Sequence, residues 1–513
     1  MRRPVEVITT AEMAEADRLA GVAGTPGAVL MDRAGRAVAD SAERLLAHRG
    51  GTRVLVFCGP GNNGGDGYVA ATALAGRGLS VDIAALVPPA SLRGDAASAA
   101  AAWHGSVLLA AEAIPERYDL VIDALFGAGL SRPLDDRARA LVGRVEAAGR
   151  PVLAVDLPSG ISGDTGGLMG AAIHAAETVT FLRLKPGHLL MPGREFCGDI
   201  TLVDIGIGAQ MLGEIGPKLR HNCPELWDGH FPRPQAVGHK YSRGHLLVVS
   251  GPMPTLGASR LSAHGGLRAG AGLVTVASPD DAVAAHAAHL TAVMLKPFSD
   301  PATLSEILAD ARKNAVVIGP GLGHHADTEA LVEAVLRPSE MPRGVVLDAD
   351  ALTLFAGRPG ELAALIAARP GPVVVTPHEG EFAKLFHGIS EVLEAPSKVQ
   401  RASAGARRLG AVLLLKGPDT VVAAPDGRAS ISGEDAPWLA TAGSGDVLAG
   451  IIGGLLAQSM PAFEAASAAV WLHAAAARHV GPGLISEDLP GVLPAVLREL
   501  SARGAADTAR SRP

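Results

Sequence analysis

The chain is 513 residues long, enough for two to four domains each with a sizeable core. Nearly half of it is apolar, aromatics are few and glycine is abundant, which suits α/β domains with many strand-to-helix turns and speaks against a sandwich or a disordered protein. A net charge of -7 gives no electrostatic reason to expect nucleic acid, and no run approaches the ~20 apolar residues of a membrane span.

Cys58, Cys197 and Cys223 are odd in number and widely spaced, so neither a disulfide framework nor a zinc pattern is expected, and a reducing cytoplasm is the expected location. Ile8 to Leu46 has helical spacing broken at Gly24 to Gly27, with Thr9 or Thr10 as cap and Glu12 in the first turn. Short apolar runs then alternate with helical segments: Val54–Cys58, Val81–Leu86, Leu120–Ala124, Val152–Val155, Thr178–Leu182 and Ile200–Ile205. This alternation predicts a three-layer, Rossmann-like domain with a mostly parallel sheet, whose site lies at the carboxyl ends of the strands.

The first of these runs enters Gly59-Pro60-Gly61-Asn62-Asn63-Gly64-Gly65-Asp66-Gly67, with the next helix expected from Tyr68 to Leu74. The glycines match a dinucleotide-binding turn, but Asn62, Asn63 and Asp66 add oxygens that a backbone cradle does not need. Two further strand ends offer oxygens at the same level, Asp123 before Gly127-Ala128-Gly129-Leu130-Ser131-Arg132-Pro133, and Asp156 before Ser159. Asn63, Asp123 and Ser159 are a trio suited to a monovalent cation, which leaves Asp156 free as acid or base.

The segments GPGNNGGDG, VIDALFG and VDLPSG, in this order, resemble the NAD(P)HX epimerase domain over roughly residues 5–215. The resemblance implies that Asn62, Asn63, Gly64, Gly65 and Asp66, the loop Gly127 to Pro133 and Asp156 bind the damaged cofactor. It also implies that Asn63, Asp123 and Ser159 ligate K+.

Between about Gly208 and Gly244 four prolines interrupt the pattern, and a linker is expected there. A second α/β series follows in Leu246–Val249, Leu273–Val276, Val316–Ile318, Val345–Leu347, Val373–Val375 and Val412–Leu415, with half a hairpin at Val421–Ala424. Its strand ends carry Gly319 to Gly323, Asp348 and Asp350, Thr376 to Phe382, and Lys416 to Thr420. Thr441-Ala442-Gly443-Ser444-Gly445-Asp446 then opens an apolar helix from Val447 to Ala457. The free N–H groups at such a helix start hold phosphate, and Asp446 stands where a base would meet a hydroxyl.

GPGLG, TPHEGEF, LLLKGPDT and GSGDVLAG resemble the ribokinase-like fold, and within it the ADP-dependent NAD(P)HX dehydratase, over about residues 235–500. The resemblance implies that Ala258, Gly321 or Gly323, His378 and Asp446 contact the hydrated cofactor. Lys416, Gly417, Pro418, Asp419, Thr420 and Gly445 would bind ADP, brought with Mg2+. The turn departs from the Thr-Gly-Gly-Thr-Gly-Asp pattern at Ala442 and Ser444. The anion site is expected to survive, with strain at Ala442 if that residue takes a positive φ.

The expected organisation is therefore an epimerase domain over 1–215, a linker over 216–240, a dehydratase domain over 241–502 and a tail over 503–513. The expected activity is repair of hydrated NADH and NADPH, with Asp156 and Asp446 as the catalytic carboxylates. The alternative is a sugar or vitamin-precursor kinase with a ligand-binding or scaffolding first domain. The expected partners are the hydrated dinucleotide and an adenine nucleotide, with self-association into a homo-oligomer and without nucleic acid or membrane.

Overall fold

The computed structural model describes residues 4–234, 237–338 and 341–510, with side chains of the last helix described to residue 502. The chain divides into two compact units, Glu6–Leu219 and, apart from the first five residues, the chain from Arg220 on.

In the first unit, helices α1 (Thr10–Val22) and α2 (Gly27–Arg49) precede the sheet. Thr9 caps α1 in a reciprocal box with Glu12, as the sequence predicts. Seven parallel strands follow: β1 (Arg53–Cys58), β2 (Ser80–Ala85), β3 (Val107–Leu109), β4 (Leu120–Ala124), β5 (Val152–Val155), β6 (Glu177–Phe181) and β7 (Asp199–Val203). Their order is β3-β2-β1-β4-β5-β6-β7, so the direction of winding reverses between β1 and β4. Apolar residues on both faces make β1 and β4 buried central strands, and Cys58 is a core thiol among them. The register pairs Phe57 with Asp123 and Asp123 with Ala154, so the three strands end at one level. The short β3, outside the expected series, is an apolar Val-Leu-Leu run that stays only partly buried at the sheet edge.

Helix α3 (Asn62–Gly76) begins six residues before the expected Tyr68. Its glycines mislead a propensity reading because they answer to packing. A Cβ on Gly64 would lie 2.1 Å from the Gly59 carbonyl oxygen, and one on Gly67 would lie 2.7 Å from the Ala124 Cβ.

The second unit contains β8 (His245–Val249), β9 (Leu273–Pro279), β10 (Met294–Phe298), β11 (Ala315–Ile318), β12 (Gly344–Leu347), β13 (Val373–Val375), β14 (Val412–Leu415), β15 (Val421–Ala423) and β16 (Ala429–Ile431). They run in the order β16-β15-β14-β13-β12-β11-β8-β9-β10. All pairings are parallel except β14 with β15 and β15 with β16, which complete the half-hairpin expected at Val421. Here the winding reverses between β8 and β11.

Helix α4 (Leu256–Arg268) and the apolar helix α6 (Ser444–Ala457) pack backbone against backbone. A Cβ on Gly450 would lie 2.0 Å from the Ser262 carbonyl oxygen, and one on Gly454 would lie 2.5 Å from that of Gly266. Helix α6 is buried at every residue from Val447 to Ala457, so its apolar run is core and its start is anchored. Residues 220–234 lie within this unit and not in a free linker. Trp227 is fully buried, packs 5.8 Å from Trp471 of α7 (Ala462–Val480), and its indole N–H donates to Asn222. Burial of a large aromatic outweighs the prolines around it. The last helix runs Asp488–Arg510, through most of the expected tail; residues 511–513 lie outside the described residues.

Candidate active sites

A cavity of 530 Å3 opens in the first unit where the winding reverses, between the segments that leave β1 and β4. Asn62, Asn63, Asp66, Gly127, Ala128, Gly129, Leu130, Ser131, Arg132 and Asp156 all line it. Gly64 and Gly65 are buried packing positions of α3, and Pro133 is not among the lining residues.

Asp156 sits just past β5 with φ 64°, a conformation that costs an Asp on the order of 1 kcal/mol and marks an imposed geometry. Two contacts hold it there: its N–H donates to the Val179 carbonyl at 2.7 Å, and His188 Nε2 meets its carbonyl at 2.7 Å. The Lys185 N–H donates to His188 Nδ1, so the ring carries its proton on Nε2; burial first of all keeps it neutral, down to about 4. The carboxylate of Asp156 is not the free group expected from the sequence. Its Oδ1 accepts from Lys185 Nζ at 2.8 Å and Thr180 Oγ1 at 3.0 Å, and its Oδ2 from the Ala128 N–H at 3.0 Å. Burial pushes its pKa up, but the ammonium of Lys185 outweighs that and holds it down to about 2. It is a fixed carboxylate at any ordinary pH.

Lys185 is 1% exposed and follows β6, whose end has none of the glycine and aspartate clusters that mark β1, β4 and β5. Its position four residues beyond a parallel strand, beside the strand that delivers Asp156, is the signal that would have found it.

Gly127 joins the predicted elements: a Cβ there would lie 2.8 Å from Asn63 Oδ1 and 3.1 Å from Asp156 Oδ2. Asp123 is fully buried, and its carboxylate accepts from the Ser159 N–H at 2.8 Å and Ser159 Oγ at 2.6 Å. Among the described residues no basic side chain pairs with it, and burial raises it to about 6 despite the Ser159 bonds. The Asn63 side-chain amide nitrogen is buried and unpartnered. An oxygen-rich, buried, uncompensated carboxylate of this kind fits a monovalent cation.

In the second unit, α6 starts at Ser444 after Gly443, which takes φ 87°. The positive φ falls on glycine; Ala442 has none, so the expected strain is absent. The Ser444 hydroxyl donates to the Leu439 carbonyl at 2.8 Å, and Ser486 Oγ donates to the Ala442 carbonyl at 2.6 Å, which fastens the turn at both ends. No side chain caps α6, and while the Ser444 N–H turns to the Thr441 carbonyl, those of Gly445 and Asp446 stay available to an anion.

Lys416 ends β14 and pairs with the buried Asp348 at 2.7 Å; its ammonium would lie 3.5 Å from a Cβ on Gly445. Burial opposes its charge, but Asp348 and Glu381 keep its pKa raised, so a cation stands under the anion turn. Asp446 is pushed up to about 7, by burial and then by Asp348, against the pull of Lys416. A carboxylate near neutrality beside free N–H donors is equipped to take a proton from a hydroxyl.

Ala349, at φ 48°, lets both Asp348 and Asp350 follow β12, and Asp350 accepts from the Gly323 N–H at 2.8 Å. Ala258 of α4 meets Gly321 at the reversal of winding: a Cβ on Gly321 would lie 3.1 Å from the Ala258 Cβ. Asp419 is turned inward, bound to Lys398 at 2.6 Å, and shapes the loop from Gly417 to Thr420. His378 caps helix α5 (Glu379–Leu385), its Nδ1 accepting from the Gly380 and Glu381 N–H groups, while the ring stays exposed. A cavity of 330 Å3 opens beside Ser250 and Leu322, but neither Asp446 nor Lys416 lines it.

The family pattern described as NAD(P)H-hydrate dehydratase matches residues 246–487, and that described as YjeF-related protein N-terminus matches residues 27–187. The chain is 38% identical over 523 residues to the bifunctional NAD(P)H-hydrate repair enzyme Nnr of Moorella thermoacetica, an alignment covering 96% of this chain and 97% of that one. The enzyme of the same name from Escherichia coli K12 is 34% identical over 471 residues, covering 90% of this chain and 88% of its own. Among solved structures, the ADP/ATP-dependent NAD(P)H-hydrate dehydratase of Bacillus subtilis, co-crystallized with ATP/Mg2+, is 28% identical with a TM-score of 0.47, covering 55% of this chain and 98% of that one.

Proposed function

The chain belongs to the bifunctional NAD(P)H-hydrate repair enzyme family, and from that premise we propose how its residues divide the work. It is a metabolite-repair enzyme that interconverts the R and S forms of hydrated NADH and NADPH and removes water from the S form at the expense of ADP. The alternative of a small-molecule kinase is not favoured, because relatives match both halves of the chain.

Water adds across a ring double bond of the dihydronicotinamide so that the hydroxyl sits on the carbon next to the ring nitrogen, whose lone pair supports a cation there. In the first unit, Asp156 is the carboxylate that faces this carbon; held ionised by Lys185, it offsets positive charge as the C–O bond loosens. Asn62, Asn63, Asp66 and the loop from Gly127 to Arg132 surround the dinucleotide. Asn63, Asp123 and Ser159 would hold K+ through their side-chain oxygens, and its charge would keep Asp123 ionised.

In the second unit, the ring hydroxyl gives its proton to Asp446 and takes the terminal phosphoryl of ADP, releasing AMP. Phosphate then leaves with the C–O electron pair, the neighbouring carbon loses a proton, and the double bond returns. The N–H groups around Gly445, with Lys416, hold the transferring phosphoryl. Asp348, Glu381 and Asp446 surround one ammonium, an arrangement in which Mg2+ on the nucleotide would screen its phosphates from the carboxylates. Ala258, Gly321, Gly323 and His378 border the hydrated ring, and the location is cytoplasmic.

The observation that carries this reading is the near-neutral Asp446 on the first turn of an uncapped helix with Lys416 beneath it. The test is an equal mixture of the two hydrated NADH epimers with ADP and K+. The parent enzyme restores NADH absorbance from both epimers. Asp156→Asn restores it from the S half alone. Asp446→Asn restores none while the epimers still interconvert; recovery with either variant at the parental rate and extent rules its assignment out.

A further inference from the structure

Four carboxylates line the cavity of the first unit, Asp17 on α1, Asp66 on α3, Asp95, and Asp156 after β5, with the ammonium of Lys185 in its floor and the exposed Arg132 at its rim. That ammonium is spent on Asp156. Asp17 and Asp66 meet no hydrogen-bond donor or basic partner among the described residues; Asp66 is half-buried and Asp17 open to solvent at the cavity's edge. Like charges gathered without compensation destabilise a fold, and they do so at sites that use protons.

On the repair reading above, we propose that Asp17 is a second catalytic residue of the epimerase site, the partner that exchanges the substrate's proton with Asp66. The Asp66 carboxyl gives its proton to the ring hydroxyl. The C–O bond breaks with its electron pair on the departing water, and the ring nitrogen's lone pair forms the C=N+ bond. Water returns to the opposite face, the new C–O bond forms as the nitrogen recovers its pair, and the surplus proton goes to the Asp17 carboxylate. The proton passes back to Asp66 between turnovers, and the roles reverse in the other direction. Nothing is oxidised or reduced, and Asp156 stays ionised throughout.

The electrostatics sort the two roles. Asp17 keeps its side chain open to solvent at the edge of the cavity, yet the protein packed around it costs the carboxylate enough hydration to raise it to about 6, with Lys185 pulling it down and Asp156 pushing it up, so at neutral pH it is ready to accept. Asp66 is raised well above the usual carboxylate range, by burial and then by Asp156 and Asp17, which favours its protonated form. A carboxyl that favours its proton and one that readily accepts a proton, in one cavity, can serve as acid and base.

The full-length Asp17→Asn variant is assayed on the R form of hydrated NADH, with the epimers separated chromatographically. Turnover is expected to fall about 100-fold or more with KM within about threefold, as for a lost general base. The wild-type profile should lose activity as pH drops below about 6, where Lys185, Asp156 and Asp66 still face Asp17, and that limb should vanish in Asp17→Asn. Asp17→Glu should recover at least tenfold of the loss. A cooperative melting transition of the first unit no lower than the parent's, read by calorimetry, shows that the variant has folded, and ADP-dependent dehydration of pure S form at the parental rate shows that the second unit is untouched. Epimerisation within threefold of the parent, a change confined to KM, or an unchanged acidic limb overturns the proposal. A parent enzyme that fails to epimerise would instead sink the repair reading itself.

Discussion

Asp446→Asn should make the second unit more stable while it destroys dehydration. The carboxyl lies near 7 in the folded protein and near 3.9 in an unfolded chain. A raised carboxyl costs nothing below its unfolded pKa, and its penalty grows as pH rises, reaching its full size above the folded value. At 1.36 kcal/mol per unit, the three-unit gap is worth about 4 kcal/mol at pH 8 and about 2 kcal/mol at pH 5.5. Asn mimics the protonated acid and escapes the penalty, so its advantage should be about 2 kcal/mol larger at pH 8 than at pH 5.5. Urea unfolding read by tryptophan fluorescence reports on this unit, because Trp227 and Trp471 pack together in its core. A variant less stable than its parent at pH 8, or an advantage that fails to shrink at pH 5.5, would refute the view that Asp446 is held against its natural ionisation for catalysis.

Lys185→Met leaves Asp156 buried without its counter-charge; unfolding of the first unit should become easier by about 3–5 kcal/mol in urea, and R-form conversion should stop while S-form dehydration continues. Gly127→Ala places a methyl against the Asn63 and Asp156 oxygens and should slow epimerisation at least about tenfold, measured on the R form. K+ should raise the melting temperature of the first unit at pH 7 more than Li+ at equal ionic strength, and Asp123→Asn should erase the difference, as read by calorimetry.

The buried strands and both glycine-rich turns were legible along the chain, since buried parallel strands are continuous apolar runs and their ends collect polar residues; the largely exposed edge strands β3 and β10 were not. Residues close in sequence to those ends, Asn63, Asp123, Asp156 and Asp446, were named from it for the same reason. The start of α3 was not, because glycines required by contact with Gly59 and Ala124 look locally like a loop. Trp227 in a proline-rich stretch likewise reads as linker until the α7 surface that buries it is known.

Asp17 and Lys185 mark the limit most clearly. One lies on a helix 49 positions before Asp66 in the numbering, the other beyond a strand that carries no motif, and nothing local distinguishes them from surface charges. Which carboxylate is ionised and which keeps its proton depends on burial and on neighbours brought from distant parts of the chain. Local pattern determined where backbone groups and oxygens gather, because hydrophobic periodicity and turn chemistry act over a few residues. Only the tertiary structure decided the charge state of each group, because electric interactions follow distance in space.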